Sequence, residues 1–302
     1  MFAKRMLPCI AAVAILSASS CNVPFLPLFG GGETTVTPAP DGIDPNNPNI
    51  ERSTQSVSFE NVQTMRIDVP AGRVAVRQAA DATEATVRVT KTILSPWHSK
   101  DELTSLLTQS IVFAAGSFLD AGRLEVEAVP ARGLSGADIE FDVLVIVPRG
   151  VPTEIVLGSG PVDVTGLVAD VDIQTHTGQV TINQVTGHVV ARTSDQPIEV
   201  VDVAGSTEVQ TSNADITLRV SPPVDGLVSA ITTDGKIDLS VAVPTGADIR
   251  LDSAGGSIAA DLNGFQISNL TVGTDLLSAT LNEGGGKIDA RTTNKEIVFA
   301  GL

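Results

Sequence analysis

The stretch "IQTHTGQVTINQVTGHVVARTSDQPIEV", Ile173 to Val200, contains one phrase twice. Thr175-His-Thr-Gly-Gln-Val180 is answered by Thr193-Ser-Asp-Gln-Pro-Ile198, eighteen residues on. Taking the first apolar residue after each such turn as an anchor gives Val162, Val180, Ile198, Ile216, Ile237, Ile258 and Ile288, with Ile297 as a final half-turn. The steps are 18, 18, 18, 21, 21 and 30, then 9. Other positions keep time with the anchors. Two residues after them stand Val164, Ile182, Val200, Leu218 and Leu239; seven before stand Ile155, Ile173, Ala191, Val209, Ala230 and Leu251. Five before come Thr175, Thr193, Thr211, Thr232 and Ser253; two before, Gly160, Gly178, Gly235 and Gly256, with Gln196 and Ala214 in two units.

Each unit therefore reads as a short strand, a polar turn and a second short strand. The apolar residues before and after the turn have opposite parity, so the turn must reset which side chains point inward. Gly, Asn and Asp suit such a corner because they tolerate positive φ. A fixed period near twenty residues with apolar positions in register indicates a solenoid. Burying the roughly five apolar side chains of one coil does not offset the entropy of ordering its backbone, so coils must stack to fold. The expected fold is all-β: a β-helix of 18–21-residue coils, with the extra residues of longer units at Pro222–Gly226, Val241–Ala247 and Leu262–Asp275 projecting as loops.

Upstream, "TMRIDVPAGRVAV" and "EATVRVTKTI" alternate with the period of strands. Residues 99–118 break that pattern. Ser99 and Glu102 have capping-box spacing, and Leu103, Leu106, Leu107 and Ile111 follow a helical stripe. A short helix here is expected to cover an open end of the stack, whose unpaired edge would otherwise invite aggregation.

The first twenty residues carry Lys4 and Arg5, an apolar run from Met6 to Leu16, and Ala18-Ser19-Ser20 before Cys21. The run is too short to span a bilayer and reads as a signal peptide. Small residues directly before a Cys resemble a bacterial lipoprotein signal, which implies lipidation of Cys21, although Ala18 stands where that family usually has Leu. Residues 21–55 are rich in Pro, Gly, Asn and Thr and read as a tether. The expected domain is 56–302, with 56–150 irregular and 151–302 in regular repeats. No Cys follows Cys21, so the mature fold has no disulfide and no thiolate metal site. A formal charge of −16 argues against nucleic acid.

The runs "VQTSNADITL", "AITTDGKIDLSVAVPTGADIRLDSAGGSI" and "VLVIVPRGVPTEIVLGSGPVDV" resemble the bacterial adhesin family of β-strand-repeat envelope proteins. The resemblance runs from about Ser56 to Leu302. It implies a right-handed β-helix, exported or tethered to a membrane, and it supplies no catalytic residues. The anchor type and Asn22 after Cys21 resemble outer-membrane sorting.

Stacked coils create columns of side chains. One past the anchor, the outward column reads Asp163, Thr181, Glu199, Thr217 and Asp238, an alternation that separates like charges. His98, His176 and His188 are the only imidazoles and fall in different columns. Asp195, Asn213 and Asp234 form a polar column at the turns, expected to be a hydrogen-bonded ladder rather than a calcium site. No metal, cofactor or catalytic residue is expected. Aromatic stacking on sugars lacks material, with Trp97 the sole Trp and no Tyr. The function expected is a non-catalytic envelope lipoprotein, an adhesin or scaffold whose partner is an envelope protein or surface glycan; the alternative is a polysaccharide-modifying β-helix enzyme. The insertion "LNGFQISNLTV" carries the candidate partner contact, Phe265, Ile267 and Leu270. Mass spectrometry of the mature protein is expected to find a lipidated N-terminal Cys21; a free thiol there, or a chain beginning at Met1, contradicts the reading.

Overall fold

The structure is a computed structural model, and it describes residues 13–15, 50–94, 98–116, 122–134 and 138–302. Cys21, Trp97, most of the expected signal peptide and the tether up to residue 49 lie outside the described residues. In chain order the first elements are β1 (Val13–Ile15), β2 (Ile50–Glu60), β3 (Thr64–Ala71), β4 (Val74–Gln78), β5 (Glu84–Leu94), α1 (Lys100–Gln109), β6 (Ile111–Gly116), β7 (Arg123–Val129) and β8 (Ile139–Val147). Next come β9 (Thr153–Ser159), β10 (Val162–Thr165), β11 (Val171–Thr177), β12 (Val180–Asn183), β13 (Val189–Arg192), β14 (Ile198–Val203), β15 (Thr207–Gln210) and β16 (Ile216–Val220). The last are β17 (Leu227–Ile231), β18 (Ile237–Val241), β19 (Ala247–Ser253), β20 (Ile258–Asp261), β21 (Ile267–Val272), β22 (Leu276–Leu281), β23 (Gly286–Thr292) and β24 (Ile297–Gly301).

These strands form two sheets. Sheet A has the order β1-β6-β7-β3-β9-β11-β13-β15-β17-β23-β19-β22-β21, and sheet B the order β2-β5-β8-β4-β10-β12-β14-β16-β18-β24-β20. Each coil gives one strand to sheet A and the next to sheet B, and neighbouring coils pair in parallel. This is the expected solenoid. The anchors pair one to the next: Val162 with Val180, Val180 with Ile198, Ile198 with Ile216, Ile216 with Ile237. All five are buried, as are Ile155, Ile173, Ala191, Val209 and Ala230 across from them. The core is thus a dry slab of small β-branched and aliphatic side chains between the sheets.

The corner between the sheets is held by hydroxyls. Thr193 Oγ1 donates to Gly178 O (3.1 Å), Thr211 to Gln196 O (3.3 Å) and Thr232 to Ala214 O (3.1 Å). Thr292 does the same to Gly235 O (2.9 Å) and Ser253 to Lys295 O (2.8 Å). Each hydroxyl satisfies a turn carbonyl of the adjacent coil in a place water does not reach. The turn glycines serve this contact rather than positive φ. Of Gly160, Gly178, Gly235 and Gly256, only Gly160 has positive φ, at 113°. A Cβ on Gly178 would lie 2.0 Å from Gly160 O, and one on Gly235 1.7 Å from Ala214 O. Close approach of one turn to the next excludes the side chain.

The coil pattern also extends into the part expected to be irregular. Val74 pairs with both Val162 and Val143, and Ile67 with both Ile155 and Val126, so β3–β4 and β7–β8 are further coils. Strand β2 begins at Ile50, inside the stretch read as tether to residue 55. The helix is shorter than the 99–118 expected. Ser99 caps it through a complete capping box, it ends at Gln109, and Ile111–Gly116 is strand β6, antiparallel to β7. Helix α1 packs on β2 and β5 and buries Leu103 and Leu107 in the common core. β1, which lies in the expected signal peptide, pairs with the outer edge of β6.

The stacking order departs from chain order at the C-terminal end. Ile237 pairs with Ile297 rather than Ile258, and Ile258 pairs with the other side of Ile297. In sheet A, Val228 pairs with Ile288, and Ile288 with Ile249. The last coil, β23–β24, is therefore inserted between β17–β18 and β19–β20. Ile288 is not an anchor: it occupies the sheet A column, and Ile297 is the anchor of a whole coil. The turns explain the preference. Thr292-Thr293-Asn294 repeats Thr232-Thr233-Asp234, whereas Ser253-Ala254-Gly255 carries no side-chain amide or acid. The N–H groups of Thr293 and Asn294 both reach Thr233 O, and the Asn294 amide donates to the Asp234 carboxylate.

A chain ending at Gly285 lacks the coil that joins the outer strands to the stack. Hydrogen exchange is expected to show lost protection over residues 247–281 and little change over 153–220. Retained protection over 247–281 would mean that β19–β20 can stack directly on β17–β18.

Candidate functional site

The two ends of the solenoid differ. At the N-terminal end both sheets continue past the outermost coil, sheet A through β6 and sheet B through β5 and β2, with α1 against β2 and β5. At the C-terminal end the outermost coil is β19–β20, and sheet A alone continues, adding β22 antiparallel to β19 and β21 antiparallel to β22. Sheet B stops at β20, which has no neighbour on its outer edge among the described residues.

The residues of the expected contact loop divide here. Their segment is strand β21 rather than a loop. Phe265, on the connection into it, turns inward; it is 9% exposed and its ring lies 6.0 Å from that of Phe299. It closes the corner of the core and is not a surface contact, which corrects the expectation for that residue. Ile267 and Leu270 remain exposed, joined by Val272 at 68%. Asn269 sits in the left-handed region (φ 52°) where the register of β21 shifts. Because of that shift, Ile267 pairs with Leu281 and Val272 with Leu277, so both share a face with core residues. Leu277, Ala279 and Leu281 are buried, but every residue of β21 is exposed. The result is an apolar ledge with no described strand opposite. From Ala254 to Thr274 the one charged residue is Asp261.

The remaining candidates lie along the sides. Asp163, Thr181, Glu199, Thr217 and Asp238 fall in register on sheet B, so successive carboxylates stand two strand spacings apart, about 9–10 Å. The turn column forms hydrogen bonds from Asn213 to Asp195 and from Asn294 to Asp234, each amide donating to a carboxylate. On sheet A a shallow groove of about 370 Å³ is lined by Arg66, Arg123, Glu154, Asp170, Asp172 and His188. Within it Arg66 pairs with Glu154, and His188 Nε2 lies 3.5 Å from Glu208, while Asp172 Oδ1 is buried without a hydrogen-bond partner. His176 Nδ1 is 3.2 Å from Ser194 Oγ, far along the strand from that groove, and His98 is at the N-cap side of α1. Among the described residues no group of three His, Cys, Asp or Glu is placed to hold a metal. No helix among them is long and apolar enough to cross a membrane.

One buried charge escaped the sequence reading. Lys91 on β5 is 2% exposed, and its Nζ donates to Leu107 O and Ser110 O, both at 2.9 Å. It satisfies carbonyls at the helix C-terminus that have no intrahelical partner. The alternation of β5 places residue 91 inward, but only the seating of α1 shows what receives the ammonium.

No family profile matches the chain, and no curated protein does. Solved structures similar to it include a "putative cell adhesion protein" from Clostridium sporogenes, at 10% identity and TM-score 0.31, covering 83% of this chain and 100% of that one. A "putative adhesin" from Parabacteroides distasonis aligns at 10% identity and TM-score 0.28, over 82% of this chain and 96% of that one. A "putative lipid binding protein" from the same species aligns at 10% identity and TM-score 0.24, over 83% and 96%. The architecture described above rests on this chain's own strand pairing.

Burial lowers the Lys91 pKa from 10.5 to about 8. Below about 8 the amine is charged in both folded and unfolded chains, and the folded state bears the desolvation cost. Between about 8 and 10.5 the unfolded chain keeps the proton and the folded one has lost it, so this residue's contribution to stability rises with pH. The stability of the wild type minus that of Lys91→Met, from denaturant melts, is expected to increase by roughly 2–3 kcal/mol across that window. A flat difference would show that the amine is solvated.

Proposed function

We propose that the chain is a non-catalytic scaffold or adhesin of the bacterial cell envelope, lipid-anchored through Cys21, that offers the C-terminal end of its solenoid to a partner. One observation carries this reading. The chain enters the stack at β2, at one end, and the outer surface of β20 and β21, whose one charged residue is Asp261, lies at the other. Ten strand spacings of about 4.8 Å place β20 roughly 48 Å from β2. A chain tethered upstream of β2 therefore holds this surface away from the membrane.

The sides of the stack suit this role less as contact surfaces. Their outward columns are polar and carry charges such as Asp163, Glu199 and Asp238, whereas interface centres favour apolar groups and exclude charge. A rigid, fully cored solenoid also presents its end without a cost in ordering it.

The test is photo-crosslinking in the native envelope, with the reactive residue at Leu270 or at Thr181 on a side column. Adducts from Leu270 and none from Thr181 are expected. Adducts from Thr181 alone would place the contact on the side of the stack.

A further inference from the structure

Among the described residues, sheet A runs two strands beyond the outermost coil and sheet B runs none. The end is thus a step, with a projection of two strands on one side and a vacancy on the other. We propose that the partner at this end is a second copy of the chain, in a two-fold dimer where the β22–β21 pair of each copy fills the vacancy beside β20 of the other. This rests on the reading that the C-terminal end is the contact surface.

The step is self-complementary for one symmetry. A two-fold axis parallel to the strands reverses the stack and exchanges its sides, so that sheet A of the second copy continues sheet B of the first. The free edge of β20 then meets the free edge of β21 from the partner, twice over. The two ledges, each with Ile267 and Val272 beside Leu277 and Leu281, come to face one another and close a joint core. An axis perpendicular to the sheets would instead bring projection against projection.

Charge favours the same occupant. Two chains of formal charge −16 repel over most of their surface. Between Ala254 and Thr274 only Asp261 is charged, so this end is where two copies can approach. β21, "ISNLTV", has neither the Lys nor the Pro with which exposed edges commonly prevent pairing. Two edges and two ledges bury on the order of 1,000–1,500 Å² in total, in the lower part of the range of specific interfaces.

The full chain with Cys9→Ser and Cys21→Ser, measured by light scattering, is expected to have twice the chain mass. Leu270→Lys and Thr271→Lys, both at exposed positions, are expected to weaken the dimer at least about tenfold while leaving the melting temperature of the chain unchanged. In the same background, Ala259→Cys mixed with Thr271→Cys should be joined between chains by a short bis-maleimide, and Ala259→Cys alone should not. Single-chain mass up to about 100 µM overturns the proposal. So does a dimer that survives both lysines and gives no link between positions 259 and 271. A single-chain mass combined with Leu270 adducts to a different protein overturns only the second copy as occupant and leaves the C-terminal end as the contact surface.

Discussion

The structure depends on how a backbone turns a corner beside a copy of itself. Successive turns approach so closely that a Cβ on Gly235 or Gly256 would collide with the carbonyl of the adjacent turn. That carbonyl is shut away from water, and the Thr or Ser hydroxyl at the end of the sheet A strand satisfies it. An unsatisfied carbonyl in such a place costs about 1–3 kcal/mol, and the contact recurs at Thr193, Thr211, Thr232, Ser253 and Thr292. The hydroxyl column fixes the register of both sheets at once, because a slip by one residue would misplace every Thr as well as every Ile. The apolar columns then fill the space that this register defines.

Much of this was legible because it repeats. Anchors Val162 to Ile237, the Thr column and the outward acidic column all stand where the period places them. Ser99 and Glu102 marked the helix start for a local reason, a pair of reciprocal hydrogen bonds. The coil order was hidden because a period records which residues share a column, not which coils are neighbours. Thr292-Thr293-Asn294 held the clue, since it matches Thr232-Thr233-Asp234 better than the intervening coil does. The role of the turn glycines was misread for a similar reason: composition cannot separate a need for positive φ from a need for close approach. Phe265 looked like a loop aromatic, and only the three-dimensional gap beside Phe299 drew it inward.

The contrast between the ends has a common physical origin. Any stack of coils exposes the outer strand of its last coil, with a row of unpaired backbone groups. At the N-terminal side the chain meets this with antiparallel strands on both sheets and with α1, whose last carbonyls are in turn held by Lys91. At the C-terminal side the cover is partial. The projection β22–β21 shields one half of the opening, and Phe265 plugs a corner of the other. What is left is small and largely apolar, with Asp261 its one charge, in a protein of formal charge −16. Along the candidate site, the sequence could show the apolar residues but not the missing strands opposite them, which are a property of the topology.

The inserted position of β23–β24 makes a coil that follows β19–β20 in the chain a keystone beneath it. A ribosome, or a translocation channel threading the chain from its N-terminus, delivers β19–β20 before the coil that must lie beneath it. The outer coil therefore lacks its folded-state neighbour until residues 286–302 have emerged. Emergence of residues 286–302 and closure of the stack become the same event. A chain stopped before Gly286 would leave the inner edges of β17–β18 and β19–β20 without the strands that pair with them.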